Sequence, residues 1–219
     1  MRLKRQSAVR IREKTSGTQV EAITAGPEEA APVTRRAMGM GADQGIHINL
    51  NTGPLFSPEA TAAAIARVAV EKGYDLIITG IMSEDRMARQ TGRMIAGFLG
   101  YSCATGVIME KIDPQSMTIE VERELEGGVR EKARLALPAV ITVQTGINTP
   151  RYPALSRMLA ANRAEIDTIN MASAETCLPA SRIIDFADPE QTRAGLVLKG
   201  NTGKKAEELI RILKDKALL

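Results

Sequence analysis

The sequence predicts an α/β fold in which helices flank a mostly parallel sheet, with one antiparallel excursion and a C-terminal arm. Three observations lead to this prediction. Short apolar runs without polar alternation, such as residues 76–79, are typical of strands buried on both faces of a parallel sheet. Segments with helical periodicity separate these runs. Between residues 107 and 137, apolar and polar residues alternate instead, as in antiparallel strands with one solvated face.

The first half of the chain alternates helices and strands. Ser57 and Pro58 form a strong helix start, because serine accepts a backbone N–H at the N-cap and proline needs no partner at the first helical position. Pro32 is tolerated early in its helix for the same reason. The predicted elements are the end of a helix at 8–12, strand 20–25, helix 28–38, strand 46–48, helix 57–72, strand 76–79 and a helix after residue 90. This alternation predicts parallel strands joined by right-handed crossovers.

The second half leaves this pattern and then returns to it. Strands 107–112, 117–123 and 129–137 are separated by turns at Asp113-Pro114 and at residues 126–128. Residues 139–143 are apolar apart from one threonine, which predicts a buried strand of the main sheet. A loop with two prolines, a short helix 154–161 and a strand 166–169 follow. An antiparallel excursion that returns to the main sheet is the simplest account of this order.

We expect a domain of residues 1–169 and a C-terminal arm of residues 170–219. The arm offers little to bury by itself, and its last segment carries Leu209, Ile210 and Leu213 on one face of an amphipathic helix. Two interpretations stay open: the arm packs across a partner subunit, or the helix folds back on its own sheet. In the first case the chain depends on that partner for folding.

The junction after strand 76–79 is the candidate ligand site. Gly80 ends the strand, and residues 90–92, Gln-Thr-Gly, lie where the next helix begins. In open α/β sheets, ligands bind outside the carboxyl ends of the strands, where a helix start offers free N–H groups and the positive end of its dipole. This position therefore predicts a phosphate site.

The charged residues of this junction allow two interpretations. Arg86, Arg89 and Arg93 could add positive charge to a phosphate cradle. Alternatively, Glu84 and Asp85 simply cap the helix and the arginines face solvent. Neither G-x-G-x-x-G nor G-x-x-x-x-G-K-[ST] is present here, so the pattern alone does not decide between them.

Composition excludes several function classes. Apolar residues make up 44% of the chain and charged residues 25%, as in ordinary globular proteins. With a net charge of +3, 3% aromatic residues and no tryptophan, a nucleic-acid-binding surface is not expected. Cys103 and Cys177 have no metal-ligand spacing and His47 lies in an apolar run, so we expect no zinc site and assign His47 to a strand. No Ser/His/Asp set or paired-carboxylate motif indicates catalysis by side chains.

The sequence also bears on the cellular setting. No segment has the length and apolar character of a membrane-spanning helix. The basic N-terminus is not followed by the apolar region of a signal peptide. Two cysteines suit a reducing compartment. We therefore expect a cytoplasmic protein without membrane insertion.

Two stretches carry a resemblance to a known family. Residues 121–128, V-E-R-E-L-E-G-G, together with Glu131 and the run L-P-A-V-I-T at 137–142, closely resemble the signature of the electron transfer flavoprotein beta subunit. Further matches, in the family's order, are residues 41–43, 90–92, 148–152 and 155. Each match is weak by itself, and together they are specific.

The resemblance implies a Rossmann-like fold of the adenine nucleotide alpha hydrolase-like kind and the role of an electron carrier. Such a beta subunit pairs with an alpha subunit that holds most of the FAD, and it carries a buried AMP itself. The pair takes electrons from flavin dehydrogenases, such as acyl-CoA dehydrogenases, to a downstream acceptor. The N–H groups around Gln90 and Thr91 would face the AMP phosphate. By match, the AMP site is walled by Ala25, Gly26, Gly80, Ile81, Met82, Ser83, Glu84, Asp85, Arg86, Arg89, Gln90 and Thr91.

The resemblance also implies two docking surfaces. Leu155 would anchor a loop, including Arg151 and Tyr152, that recognises partner dehydrogenases. A leucine close to two prolines suits a docking anchor better than a core position, because a few such anchors carry much of the energy of an interface. Glu124 would pair with an arginine of the alpha subunit. The sequence names neither the dehydrogenase nor the acceptor.

The chain departs from the family in two places. The family begins with a strand and a loop that contact the nucleotide and the flavin, whereas this sequence starts inside the first helix. Residues 84–89 read E-D-R-M-A-R, where many members have an acidic run that ends in asparagine. Two alternatives stay open. An electron-bifurcating form would hold a second FAD in place of AMP, although residues 90–92 resemble the AMP type more. A universal-stress-like regulatory protein would also bind a nucleotide, but residues 123–142 do not support it.

Overall fold

The computed structural model describes residues 2–50, 57–83, 87–149, 152–171, 185, 187 and 195–218, with side chains from Ser7 onward. The chain falls into two units, residues 1–182 and 183–219. The second unit contributes one helix, and the described helices are α1 Arg2–Lys14, α2 Ala31–Gly39, α3 Pro58–Lys72, α4 Thr91–Leu99, α5 Leu155–Arg163 and α6 Thr202–Asp215. The described strands are β1 Glu21–Gly26, β2 Gln44–Leu50, β3 Leu76–Gly80, β4 Ser102–Asp113, β5 Thr118–Glu124, β6 Arg130–Ala136, β7 Ala139–Val143 and β8 Asp167–Met171.

The predicted order of elements is confirmed, and α3 shows why its ends were recognisable. The Ser57 hydroxyl accepts a hydrogen bond from the Ala60 N–H at 3.0 Å, and Gly73 closes the helix at φ +65°, a left-handed conformation that favours glycine. The helix predicted from residue 28 differs at its start. A 3₁₀ turn, Glu28–Ala30, comes first, and the α-helix begins only at Ala31 with Pro32 in its first turn.

The fold class is confirmed, but the described strands form two sheets where one was expected. One sheet has the order β1-β2-β8 and is parallel throughout. The other has the order β3-β7-β4-β5-β6. The prediction that residues 76–79 are buried on both faces is wrong, because β3 is an edge strand that pairs only with β7 and is half-buried. Ala139–Val143, which pairs on both edges, is buried at every position.

The antiparallel excursion is confirmed, and β4 joins it to the parallel part of the sheet. The first half of β4 runs parallel to β7, and the second half runs antiparallel to β5. The register shifts near Val107, beside Gly106 at φ +71°. A bulge with a left-handed glycine re-aims a strand in this way, so one long strand serves both parts of the sheet.

Helices cover the three-stranded sheet on both faces. On one face, α3 packs Ala64 and Val68 against Ile46, Ile48 and Leu50. On the other face α2 approaches β2 very closely. A Cβ on Gly45 would lie 2.6 Å from the Thr34 Cγ2 atom, so this position requires glycine.

In the five-stranded sheet the two faces have different partners. Ile95 and Ala96 of α4 pack against Val140 on one face. The opposite face carries the largest cluster of the unit, in which Ile119, Val121 and Ile141 are buried.

The second unit contains α6. Its N-cap, Asn201, accepts a hydrogen bond from the Lys204 N–H at 3.0 Å. Leu209 and Ile210 on this helix are each 48% exposed. Among the described helices, none is long and apolar enough to cross a membrane.

Candidate functional site

The predicted ligand site lies where β3 ends and α4 begins. Gly80 is the last residue of β3, and the Ile81 N–H donates to the Val143 carbonyl at 3.0 Å, which holds the departing chain beside β7. Helix α4 starts at Thr91 after the N-cap residue Gln90, whose side chain makes no capping hydrogen bond. Without this cap, the first N–H groups of α4 are open to an external acceptor, such as a phosphate oxygen.

Gly92 explains how the start of α4 comes so close to the sheet. A Cβ at this position would overlap the Thr79 hydroxyl and would lie 2.7 Å from the Thr142 Cγ2 atom. Thr79 and Thr142 are directly paired residues of β3 and β7. Because glycine has no side chain, the helix start can rest on this pair, directly above the carboxyl ends of both strands.

The two threonines differ in their hydrogen bonding. The Thr142 hydroxyl accepts from the Gly106 N–H at 3.2 Å and so supports the bulge of β4. The Thr79 hydroxyl is buried beneath α4 and has no hydrogen-bond partner among the described residues. A buried hydroxyl without a partner is costly and occurs where a structure serves a ligand or a close helix contact.

The loop between β3 and α4 is described at both ends, while Glu84, Asp85 and Arg86 lie outside the described residues. Met87 and Arg89 both adopt positive φ, at 50° and 54°. The Arg89 Nε group donates to the Met82 thioether sulfur at 3.3 Å, a weak acceptor, and no carboxylate of the described part of the chain forms an ion pair with it. Its charge is therefore available at the edge of the site.

Ala25 and Gly26, the predicted second wall of the site, end β1. A Cβ on Gly26 would lie 3.2 Å from the Ala30 Cβ, so the following turn folds back closely over the end of the strand. Both walls are carboxyl ends of border strands that pair in parallel with their one neighbour. The structure brings Gly80 to Met82 and Gln90 to Thr91 together at one junction, and Ala25 and Gly26 lie at the end of the other sheet's border strand.

Sequence reasoning missed a cavity of about 650 Å³ between one face of β2 and β8 and the segment that runs from the 3₁₀ turn into α2. His47 is a buried strand residue as predicted, and its Nε2 atom donates to the Pro27 carbonyl at 3.1 Å. The Asn49 side chain donates to the Asn170 carbonyl oxygen at 2.9 Å. The lining residues are Glu28, Glu29, Ala31, Pro32, Arg35, His47, Asn49, Thr168 and Asn170. The only signal in the sequence was that two asparagines follow apolar strand residues far apart in the chain.

The predicted docking residues form two separate groups. Tyr152 and Leu155 are 84% and 75% exposed at the start of α5, beside a groove of about 410 Å³ between α2 and α5. Arg151 lies outside the described residues. Glu124 ends β5, and its carboxylate accepts from the Gln144 side chain at 3.0 Å. Glu124 thus lies with the ligand-site end of the five-stranded sheet and not with Leu155.

Two groups with shifted pKa values, Tyr74 and Cys103, lie at the amino ends of β3 and β4, away from the site. Burial raises the pKa of the Cys103 thiol, although the nearby Arg93 guanidinium lowers it. Burial also raises the pKa of Tyr74 well above its usual range, and the hydrogen bond to Glu21 adds to this effect. Within the described ranges, no group of three or more histidine, cysteine, aspartate or glutamate side chains could hold a metal ion.

Comparison with known proteins identifies the family. The model of the electron transfer flavoprotein domain matches residues 6–174. The electron transfer flavoprotein subunits beta of Bos taurus and Homo sapiens are each 32% identical to this chain over 213 residues, which is 96% of the chain and 80% of each relative. The subunit beta of Bacillus subtilis is 30% identical over 218 residues, or 97% of this chain and 83% of the relative. The resemblance seen in residues 121–142 is thereby confirmed, and the chain belongs to the electron transfer flavoprotein family.

Proposed function

We propose that this chain is the beta subunit of a heterodimeric electron transfer flavoprotein. In this role it passes electrons from flavin dehydrogenases, such as acyl-CoA dehydrogenases, to a downstream acceptor in the cytoplasm. The redox chemistry is that of an FAD held mainly by the alpha subunit. The side chains of this chain position groups and break no bonds. The observation that carries the proposal is the uncapped start of α4, seated on the ends of β3 and β7, in a chain matched to this family over residues 6–174.

AMP is the proposed ligand of the site in this subunit. Its phosphate would accept from the N–H groups of Gln90 and Thr91, where the helix dipole favours an anion by about 0.3–1 kcal/mol before hydrogen bonds are counted. The charge of Arg89, which forms no ion pair within the described residues, would add to this attraction. The missing side chain of Gly92, which lets the uncapped start of α4 lie directly above the ends of β3 and β7, supports a phosphate at this junction. Ala25 and Gly26 would form the opposite wall.

The alpha subunit is proposed to pack against the apolar face of α6 and to supply an arginine that pairs with Glu124. Leu209 and Ile210 expose about half of their side chains, and burying one such side chain fully is worth about 1.5–3 kcal/mol. An apolar stripe of this kind favours association. We propose that the two subunits bury roughly 2,000 Å² or more, as permanent heterodimers do. Flavin dehydrogenases would dock separately, at Leu155 and Tyr152.

The nucleotide content of the purified heterodimer tests the proposal. After denaturation, mass spectrometry of the released ligands should find AMP and FAD in equal amounts. Two FAD molecules per heterodimer would contradict the AMP assignment and support the electron-bifurcating alternative. A heterodimer that contains AMP but accepts no electrons from a flavin dehydrogenase would contradict the proposed role itself.

A further inference from the structure

Helix α2 touches the three-stranded sheet at one place and stands away from it at another. A Cβ on Gly45 of β2 would lie 2.6 Å from the Thr34 Cγ2 atom, so the helix and the strand are in direct contact there. Further along β2, a cavity of about 650 Å³ separates one face of β2 and β8 from the segment that runs from the 3₁₀ turn into α2. Pockets that hold small organic molecules range from about 300 to 1,000 Å³, so the cavity is large enough for such a ligand.

The helix side of this cavity is a stripe that carries charge. Its residues follow the spacing i, i+3, i+4, i+7 from the 3₁₀ turn into α2, and they are Glu28, Ala31, Pro32 and Arg35. Glu29 also lines the cavity and adds a second carboxylate. A helical stripe that faces a sheet is ordinarily apolar. Here it brings two carboxylates and one guanidinium to the space between the helix and the sheet.

The sheet side of the cavity is polar at all four of its positions. Directly paired residues of β2 and β8 line it, His47 with Thr168 and Asn49 with Asn170. The residues between them, on the opposite face, are apolar and belong to the cluster that α3 covers. A contact between a helix and a sheet is normally closed by apolar side chains. Polar residues throughout this contact are a departure of the kind that marks functional sites.

The charged side chains around the cavity do not neutralise one another. Glu28, Glu29 and Arg35 form no ion pair within the described residues. The Arg35 Nε atom is buried and has no hydrogen-bond partner in the described part of the chain. A buried guanidinium N–H without an acceptor is costly, and an anion in the cavity would satisfy it. The two carboxylates outnumber the one guanidinium and therefore favour cationic groups in the same ligand.

Uncharged groups on the sheet side add hydrogen-bonding capacity. The His47 Nε2 atom donates to the Pro27 carbonyl at 3.1 Å, so in a singly protonated ring the Nδ1 atom is an acceptor, and no described residue donates to it. The Asn49 amide group donates to the Asn170 side-chain oxygen at 2.9 Å. This pairing leaves the Asn49 oxygen as a second acceptor and the Asn170 amide group as a donor. The cavity thus combines a site for an anion, two neutral acceptors and a site for a cation.

We propose that this cavity binds a basic α-amino acid, such as lysine. The ligand carboxylate accepts from the Arg35 guanidinium and from the Asn170 amide group. The α-ammonium group donates to the His47 Nδ1 atom and to the Asn49 oxygen. With two cations and one carboxylate, such a molecule matches the charges around the cavity one for one. The proposal concerns this cavity alone and does not rest on the proposed electron-transfer role.

The side-chain cation of the ligand binds to Glu28 and Glu29. Glu28 and Arg35 are seven residues apart on one stripe, a separation of about 10 Å along the helix axis. An inorganic anion reaches only the guanidinium end of this stripe. A neutral amino acid leaves both carboxylates without a counter-charge. An extended lysine carries opposite charges at its two ends, and the glutamate and arginine side chains close the remaining distance.

A panel of related ligands tests the proposal by isothermal titration calorimetry on the purified protein. L-Lysine is compared with norleucine, which lacks the side-chain ammonium group, with cadaverine, which lacks the carboxylate, and with inorganic phosphate. Each comparison removes at least one charge-assisted contact, so we expect lysine to bind at least about ten-fold more tightly than the others. The His47 ring signals, recorded by NMR on protein labelled in this chain alone, should shift when lysine is added.

Matched variants test the individual charges. Arg35→Gln should remove the preference for lysine over cadaverine, because the carboxylate then has no guanidinium to bind. Arg36→Gln, one position further along α2 and outside the lining of this cavity, should leave that preference unchanged. Glu28→Gln combined with Glu29→Gln should remove the preference for lysine over norleucine. Arg35→Lys keeps the positive charge and should keep a preference for the carboxylate, and it replaces Arg35→Gln if that variant does not fold.

Several results would overturn the proposal. These are equal affinities for lysine and either norleucine or cadaverine, displacement of lysine by an equal concentration of phosphate, and unchanged lysine affinity in Arg35→Gln. Absence of binding at millimolar lysine would also overturn it. Lysine binding without a shift of the His47 signals would place the ligand outside this cavity and would count equally against the proposal.

Discussion

Replacing Gly92 by alanine tests the close seating of α4 on the sheet. The new Cβ would overlap the Thr79 hydroxyl and would lie 2.7 Å from the Thr142 Cγ2 atom, so α4 must lift or both threonines must rotate. Rotation of Thr142 breaks the hydrogen bond that its hydroxyl accepts from the Gly106 N–H. Overpacking of this kind costs about 1–3 kcal/mol. Alanine recovers about 1 kcal/mol in helix propensity, so we expect a net loss of up to about 2 kcal/mol.

Gly97, in the same helix, provides the matched control. A Cβ there would meet no atom within 4 Å, so Gly97→Ala should stabilise the protein by about 0.5–1 kcal/mol. Urea unfolding of the heterodimer, followed by circular dichroism, would compare both variants with the parent, and released AMP would be measured in the same samples. A Gly92→Ala variant as stable as Gly97→Ala, with AMP fully retained, would refute the reasoning.

Two further variants test other parts of the structure. Leu155→Ala should raise the KM for a partner dehydrogenase about ten-fold and leave the bound flavin unchanged. Val70→Ala, at a comparably exposed apolar position on α3, should have no effect. Normal turnover or lost flavin in the Leu155→Ala variant would contradict the docking role. Glu110→Gln should stabilise the protein at pH 7 and flatten its pH dependence. Burial raises the pKa of Glu110 above its ordinary value of 4.5, so the folded state holds the proton more tightly and loses stability as pH rises from that value through the folded pKa. The urea midpoints at pH 4.5 and pH 7 should differ less in Glu110→Gln than in the parent protein. An equal difference in the two proteins would contradict this reasoning.

Elements with local signals at both ends were predictable from the sequence. Helix α3 is bounded by Ser57-Pro58 and Gly73, and each residue has a physical role within one turn of the helix end. Strand β4 was harder. Its first residues, Ser102 to Gly106, are small or polar and have no strand-like pattern, and they are held as a strand by pairing with β7. Only tertiary contact defines that part of the element.

The division into two sheets and the details of the site depend on pairing that sequence patterns do not encode. The position of residues 90–92 predicted a helix start near a strand end, and the structure has α4 begin there. The requirement for glycine at position 92 arises because Thr79 and Thr142 come into register when β3 pairs with β7, 63 residues apart in the chain. Likewise, the cavity beside His47 is lined from elements separated by more than 100 residues. The alternative roles of Glu84 and Asp85 stay predictions.

The burial of His47 has a practical consequence for spectroscopy. It is the single histidine of the chain, so its imidazole protons give one assignable set of NMR signals without any mutagenesis. The ring donates a hydrogen bond to the Pro27 carbonyl, one residue after Gly26, and it lines the cavity between α2 and the strands β2 and β8. A ligand entering that cavity, or a shift of the turn at Gly26 when a nucleotide binds, would displace this one resonance. His47 is therefore a built-in NMR probe of the turn after Gly26 and of the cavity that it lines.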